Sequence, residues 1–300
     1  MNNQPIYILG NNALAYYLGT KFLDSGERVI ILTDGVTKNK LNTQGIQLKD
    51  GLSLKKRHYK FETALWTKEE AKLLLISSFS SNLHSDLSAL TPSKVNNSPI
   101  ICLTLRKDVA YLRDIFGGNF SKGTINSWIK QDDSSIIAQE TKPEITIYSP
   151  LSDTTQQQIT ALFQKTDIQI NISENENMIF WKNYIIYTAA SLLTAAFNQT
   201  LTQTIKNNKA AYLLNQIVEE SCKLATSDGI EILPQEIIES IYNIPSGYEF
   251  PLLSELQSGN ASELNNMSTL IQTASKKINF TPRNINNFIT HIYNIYLSIT

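Results

Sequence analysis

The sequence predicts an α/β domain with a parallel sheet covered by helices on both faces, followed by an all-helical domain. Three observations predict it. Strand-like and helix-like segments alternate as far as residue 172. Strand signals stop after Asn175. The first strand enters a helix through a tight turn at Gly10 and emerges into a second strand, a βαβ unit.

Ile6-Tyr7-Ile8-Leu9 is a short apolar run, the pattern of a strand buried on both faces. Leu14, Leu18 and Phe22 then recur at helical spacing, and Ser25-Gly26 ends that helix. Arg28–Thr33 reads as the second strand, with Asp34 at its end. Lys72–Ser78 and Pro99–Leu105 are further buried strands, each followed by a helix, Ser81–Leu90 and Asp108–Phe116. Thr124–Lys130, Ser135–Gln139 and Glu144–Tyr148 read as short strands split by polar turns. Thr154–Lys165 is a helix and Ile168–Ile172 a last strand. Helical runs follow at Met178–Lys206, Ala210–Ser227, Pro234–Ile244, Leu252–Ile278 and Asn284–Ile299. The expected domains are therefore 1–175 and 176–300.

The turn Gly10-Asn11-Asn12-Ala13-Leu14-Ala15 stands where a dinucleotide fold carries Gly-x-Gly-x-x-Gly. Gly10 supplies the tight turn. Asn12 puts a side chain where the pyrophosphate would approach closest, and Ala15 replaces the glycine that lets helix and strand pack. The helix N-terminus still offers free N–H groups and a positive dipole end. Asp34 lies about 20 residues on, where a carboxylate can accept the ribose hydroxyls and repel a 2′-phosphate. Asp34-Gly35 is equally a common turn pair. The expected first domain is thus Rossmann-like, with nucleotide binding left open.

Composition bounds the rest. Three hundred residues, 42% apolar and 18% charged, suffice for a two-domain globular protein. A net charge of −1 gives no reason to expect nucleic acid. The one basic cluster, Lys55-Lys56-Arg57-His58, reads as a solvated sheet edge. Cys102 and Cys222 read as buried thiols of a reducing compartment. No Cys/His pair has metal-ligand spacing, so no metal is expected. The chain enters a strand at once and its most apolar stretch, Tyr184–Phe197, is too short for a bilayer. A cytoplasmic protein without membrane attachment is expected.

On the long helix Asn183, Tyr187, Ser191, Thr194 and Asn198 fall within about 80° of the circumference. Such a stripe on an otherwise apolar helix needs hydrogen-bond partners. A polar ligand held in a cleft between the domains would supply them, as would neighbouring side chains or buried water. Lys182 points away unless the helix is slipped by one residue.

Trp181-Lys182-Asn183, Leu193-Thr194-Ala195 and Phe197-Asn198 resemble the start of the helical domain of the ketopantoate reductase (2-dehydropantoate 2-reductase) family. Ser254-Glu255-Leu256, Ser262-Glu263-Leu264 and Thr281-Pro282-Arg283-Asn284 resemble its later signature. With Gly10 to Asp34, the resemblance runs in order along nearly the whole chain. It implies NAD(P)H-dependent reduction of a small 2-keto acid, ketopantoate to pantoate in pantothenate and coenzyme A biosynthesis. It also implies that the family's lysine falls on Asn183, its two substrate asparagines on Tyr187 and Ser191, and its glutamate on Glu263. The substrate-binding serine falls near Pro251. The 2′-phosphate arginine falls on Asp34, the lysine after the third strand near Ser78, and the asparagine of the Asn-Gly turn at about Leu105.

The site is therefore expected to be modified. Glu263, Tyr187, Asn183 and Lys182 are the catalytic candidates, with Tyr187 able to donate a proton in place of the lysine. Asn183, Tyr187, Ser191 and Asn198 are the substrate candidates. Gly10, Asn11, Asn12, Ala13, Leu14, Ala15, Asp34 and Ser78 are the cofactor candidates. NADH is favoured over NADPH by Asp34. A homodimer is expected from the way helical domains of this kind pair. The lost glycines and lost cation also allow a catalytically inactive binding or regulatory protein on the same fold.

Overall fold

The structure is a computed structural model that describes residues 4–50, 56–77, 87–95, 97–105, 109, 111–132, 135–148, 151–246 and 248–296. The chain divides into two compact units, Met1–Glu176 and Asn177–Thr300. No described helix is long and apolar enough to cross a membrane.

The strands of the first unit are β1 (Ile6–Leu9), β2 (Val29–Leu32), β3 (Ile46–Asp50), β4 (Lys56–Tyr59) and β5 (Glu62–Ala64), then β6 (Leu73–Ile76), β7 (Ile100–Leu103), β8 (Phe120–Asp132), β9 (Ser135–Tyr148) and β10 (Gln169–Ser173). Its helices are α1 (Ala13–Asp24), α2 (Gly35–Gln44), α3 (Pro92–Val95), α4 (Tyr111–Phe116) and α5 (Asp153–Phe163). The strands form one sheet in the order β4-β3-β9-β8-β7-β6-β1-β2-β5, with β10 also on β9. Ile6 and Ile8 belong to the core on one face, Tyr7 and Leu9 to the core on the other. Both faces are buried, which is why the strands read as unbroken apolar runs.

The sheet is mixed rather than wholly parallel: β3 with β4 and β8 with β9 are antiparallel. The three short strands expected between residues 124 and 148 are instead two long ones, with an irregularity between Asn126 and Trp128. Polar residues along them read as turns in the sequence but belong to a long hairpin with little apolar content to mark it. Helix α2 was not legible either, because Leu41 is its sole buried side chain. The expected helix Ser81–Leu90 lies outside the described residues except at its end, where Leu87–Ala89 makes a 3-10 turn. Lys56, Arg57 and His58 are exposed on β4, at one end of the sheet.

Two buried ion clusters had no sequence signal. The Glu27 carboxylate is 5% exposed and takes Lys165 Nζ at 2.7 Å, with Lys72 as a second partner. Burial alone would raise its pKa, but the Lys165 and Lys72 hydrogen bonds outweigh that and hold it below the usual carboxylate range. A depressed carboxyl contributes stability above its unfolded pKa and loses it as pH falls through the folded value. Glu27→Gln is therefore expected to cost about 2 kcal/mol at pH 7. Its urea midpoint should fall less steeply on acidification than that of the parent.

The second cluster holds Lys122, 4% exposed on β8, whose Nζ lies 3.7 Å from Glu176 Oε1. Arg113 holds the other carboxylate oxygen at 2.6 Å. Burial pushes the Lys122 pKa down and the Glu176 charge opposes that shift.

The helices of the second unit are α6 (Glu176–Phe197, its first residue counted with the first unit), α7 (Leu201–Thr204), α8 (Asn208–Ala225), α9 (Pro234–Tyr242), α10 (Pro251–Gln257), α11 (Ser262–Ile278) and α12 (Arg283–Tyr296). The expected run Met178–Lys206 breaks after Phe197, and Leu252–Ile278 is two helices separated around Gly259. Trp181 anchors the unit's interior. It is fully buried, its Nε1–H donates to Asp228 Oδ2 at 2.7 Å, and Phe180 and Tyr184 pack edge-on to its ring.

Candidate active site

The turn after β1 carries the first group of candidates. Gly10 has φ +148°, and a Cβ there would lie 2.0 Å from the Ser77 carbonyl oxygen at the end of β6. Only glycine allows this approach. Asn12 does not project where a phosphate would come. Its side chain folds back, donating to the Ser77 carbonyl and accepting the Ala15 N–H at 2.9 Å and the Ser77 hydroxyl at 3.1 Å. It is the N-cap of α1. The first backbone bond of that helix runs from Tyr16 N–H to the Asn12 carbonyl, so the Ala13 and Leu14 amides have no acceptor within the helix.

Ala15 is fully buried, and the close packing of helix on strand is achieved one turn later. A Cβ on Gly19 would meet the Phe61 ring at 2.7 Å. The sequence held that glycine, but outside the fingerprint positions.

Asp34 is the N-cap of α2. Its Oδ1 accepts the Val36 and Thr37 N–H groups at 2.8 and 2.9 Å, and its Oδ2 accepts the Thr37 hydroxyl at 2.9 Å. The Thr37 backbone N–H is the main reason its carboxyl is held below the usual range. The turn reading of Asp34-Gly35 is thus realised as a cap; the carboxylate remains exposed. Asn11 joins the two loops, donating to Thr37 Oγ1 at 2.9 Å and accepting from the Tyr16 hydroxyl. Burial, with the Asp34 charge added, pushes the Tyr16 phenol up to about 12. Thr33 Oγ1, at the end of β2, is buried without a hydrogen-bond partner. Ser78 lies outside the described residues.

These residues fit a dinucleotide. Free amides at a helix N-terminus suit a pyrophosphate, while the exposed Asp34 carboxylate and the orphaned Thr33 hydroxyl suit a diol at the strand end. Tyr16, Thr33 and Thr37 carry no signal in the sequence, because α2 has no apolar stripe to reveal the loop they share.

The second group lies on α6. Helix α6 is continuous through Lys182, with no slip. Lys182 Nζ pairs with Glu236 Oε2 of α9 at 2.9 Å, so it does not join the stripe. Asn183 is half-buried and donates to the Ile179 carbonyl of its own helix at 3.0 Å. Asn198 also leaves the stripe. The helix ends at Phe197, and Asn198 takes φ +50°, is exposed, and accepts from Gln257 Nε2 at 3.1 Å. Helical spacing no longer applies beyond that point. Thr194 is satisfied by the carbonyls of Ala190 and Ser191.

What remains is a compact polar group. Tyr187 is half-buried with its ring against Phe250. Burial, then the charges of Glu263 and Glu255 with Tyr248 between them in strength, push its phenol well above the ordinary value. Ser191, fully buried one turn along, lies against that hydroxyl and hydrogen-bonds to it, partly opposing the upward shift. Glu263 stands in the first turn of α11. Glu255 of α10 accepts the Glu263 backbone N–H, while its Oε2 is buried without a partner. Glu255 and Tyr248 are additions that the structure makes to the site. Glu255 falls inside the Ser254-Glu255-Leu256 motif, but its neighbourhood depends on the break at Gly259.

A Rossmann-like α/β unit followed by an all-helical unit with a polar face defines a two-domain α/β-plus-α architecture. Residues 177–284 match the family model described as the ketopantoate reductase PanE/ApbA C-terminal domain, which bears out the resemblance read from the sequence. No curated protein matches the chain. Among solved structures, a PanE/ApbA family ketopantoate reductase from Ralstonia eutropha JMP134 superposes with TM-score 0.83 at 15% identity, over 97% of this chain and 98% of that one. A D-mandelate dehydrogenase solved with NADH and anilino(oxo)acetate gives 0.82 at 14%, over 97% of each chain. A dimeric ketopantoate reductase from Staphylococcus aureus gives 0.78 at 13%, over 97% and 98%. At these identities the likeness is one of fold.

Proposed function

We propose that this chain is an NAD(P)H-dependent oxidoreductase that reduces a small 2-keto acid, with ketopantoate as the first substrate to test and NADH as the preferred cofactor. The observation that carries the reading is the Gly10 turn. There the Asn12 side chain folds under the loop and leaves the Ala13 and Leu14 amides, in the first turn of α1, without an acceptor within the helix. Relatives of the same fold include ketopantoate reductases and a mandelate dehydrogenase solved with NADH, which supports the class of chemistry. A homodimer follows the dimeric relative.

The nicotinamide, when bound, supplies the hydride that reduces the carbonyl carbon. Ala13 and Leu14 amides would hold the pyrophosphate, and Asp34 the adenosine ribose. On α6, Tyr187 and Ser191 offer hydroxyls to the substrate, with Asn183 at the edge of the same face. Tyr187 stays protonated at every working pH, because burial and the Glu263 charge oppose its ionisation. It can therefore give its proton to the developing alkoxide.

One observation favours the non-catalytic reading. The lysine of α6 is committed to Glu236, so that helix brings no cation to an alkoxide. Loss of nicotinamide absorbance with ketopantoate, and with a panel of other 2-keto acids, separates the two. Turnover supports the reductase; cofactor binding with no turnover on any of them supports the inactive protein. Asp34→Ala should cost about 1 kcal/mol through the lost cap. It should also narrow the ratio of NADPH to NADH Michaelis constants. An NADPH preference in the parent chain would overturn the Asp34 assignment.

A further inference from the structure

Within the first unit, the side chains that hold Asp34 form one directed chain across two loops. The Tyr16 hydroxyl donates to Asn11 Oδ1. Asn11 Nδ2 donates to Thr37 Oγ1 at 2.9 Å, and the Thr37 hydroxyl donates to Asp34 Oδ2 at 2.9 Å. A hydroxyl has a single proton, so the Asn11 bond into Thr37 Oγ1 commits that proton to Asp34. Every link points its donor toward the carboxylate, the polarity that suits an ionised acceptor. The far end is anchored in the core: Tyr16 is 2% exposed and its ring stacks on Phe61. Asn11 is exposed, yet it is held at both ends of its amide.

The two oxygens of Asp34 are held for different purposes. Oδ1 takes the Val36 and Thr37 amides and caps α2. Those bonds fix one oxygen but leave the carboxylate plane free to turn. The Thr37 hydroxyl on Oδ2 fixes the plane. Oδ2 keeps acceptor capacity beside that hydroxyl, on an exposed residue. A second observation marks the same strand end as a ligand position. Thr33 Oγ1 is buried with no hydrogen-bond partner. The alternation that puts Val29 and Ile31 in the core with Tyr16 places Thr33 on that face of the sheet as well.

We infer that Asn11 and Thr37 are positioning residues that set the nucleotide preference, by holding Asp34 Oδ2 where it accepts a ribose hydroxyl and cannot turn away from a 2′-phosphate. The inference rests on the nucleotide reading of the Gly10 turn and Asp34. A 2′-phosphate brings roughly two negative charges. A loosely held surface carboxylate relieves such repulsion by rotating into water. A carboxylate whose plane is locked by a neighbour that is itself locked does not. Discrimination against NADPH is then a property of the chain Tyr16–Asn11–Thr37–Asp34, and not of the Asp34 charge alone.

The test measures dissociation constants of NADH and NADPH by fluorescence titration of the full-length protein and its variants. Thr37→Val keeps the backbone amide and the shape but removes the hydroxyl. It should narrow the ratio of NADPH to NADH dissociation constants by about 5-fold, and Thr37→Ser should restore the parent ratio. Asn11→Ala should narrow it by about 2-fold, because the Thr37 hydroxyl can still find Asp34. Adenosine 2′,5′-bisphosphate against adenosine 5′-monophosphate, as competitors of NADH, should show the same narrowing, which locates the effect at the ribose. The urea midpoint of each variant is read alongside.

If Asn11 and Thr37 only brace the loops, the midpoint falls, both nucleotides weaken by one factor and the ratio stays. That result overturns the inference while leaving the nucleotide reading intact. A ratio that narrows in Thr37→Val but is not restored by Thr37→Ser overturns it too. A parent that binds neither nucleotide fails the nucleotide reading itself, and the inference with it.

Discussion

Gly10→Ala will destabilise the protein by more than about 4 kcal/mol, enough to leave much of it unfolded at 37 °C. Two effects coincide at this position. Backbone φ of +148° disfavours any side chain, and the added methyl would meet the Ser77 carbonyl oxygen at 2.0 Å. The obstructing atom is backbone at the end of β6, in the middle of the sheet, so it cannot swing aside as a side chain would. Relief requires β1 and β6 to part at their carboxyl ends. The same movement would pull Asn12 off Ser77 and uncap α1. Equilibrium urea unfolding checks this. A midpoint close to that of the parent would mean that the turn is not built as described.

Trp181→Ala is expected to cost about 4–5 kcal/mol, by a different mechanism. The indole is 0% exposed and packs edge-on against the stacked rings of Phe180 and Tyr184, so truncation leaves a large void in the interior of the helical unit. It also strips Asp228 of its 2.7 Å donor, leaving Lys277 at 3.2 Å as the remaining partner described for that carboxylate. Trp181→Phe separates the two effects, since it keeps most of the volume and loses the hydrogen bond. A loss of about 2 kcal/mol is expected for it. If Trp181→Ala cost no more than Trp181→Phe, the lost hydrogen bond would account for the whole effect and the void for none of it.

The fold was legible where burial follows a simple period. Ile6–Leu9, Val29–Leu32, Leu73–Ile76 and Ile100–Leu103 are apolar throughout because both sheet faces are covered, and each reads directly as a strand. Helix α2 was not legible, and the β8–β9 hairpin was legible only as three shorter strands, because their stability comes from a cap at Asp34 and from strand pairing rather than from apolar pattern. Helices read too long in the sequence wherever a left-handed residue, Asn198 or Gly259, stops the chain without a proline to announce it.

The candidate site was legible as a set of positions but not as an arrangement. Nothing in the sequence says that Asn12 folds under its turn, that Lys182 is taken by Glu236, or that Glu255 meets Glu263. Those contacts depend on which neighbour a side chain finds after folding.

The most direct measurement is a fluorescence titration of NADH with the parent protein, repeated with NADPH. A nucleotide cradled at the Gly10 turn and read by Asp34 predicts saturable NADH binding below about 1 mM, with NADPH weaker. No saturable response to either nucleotide would contradict the account.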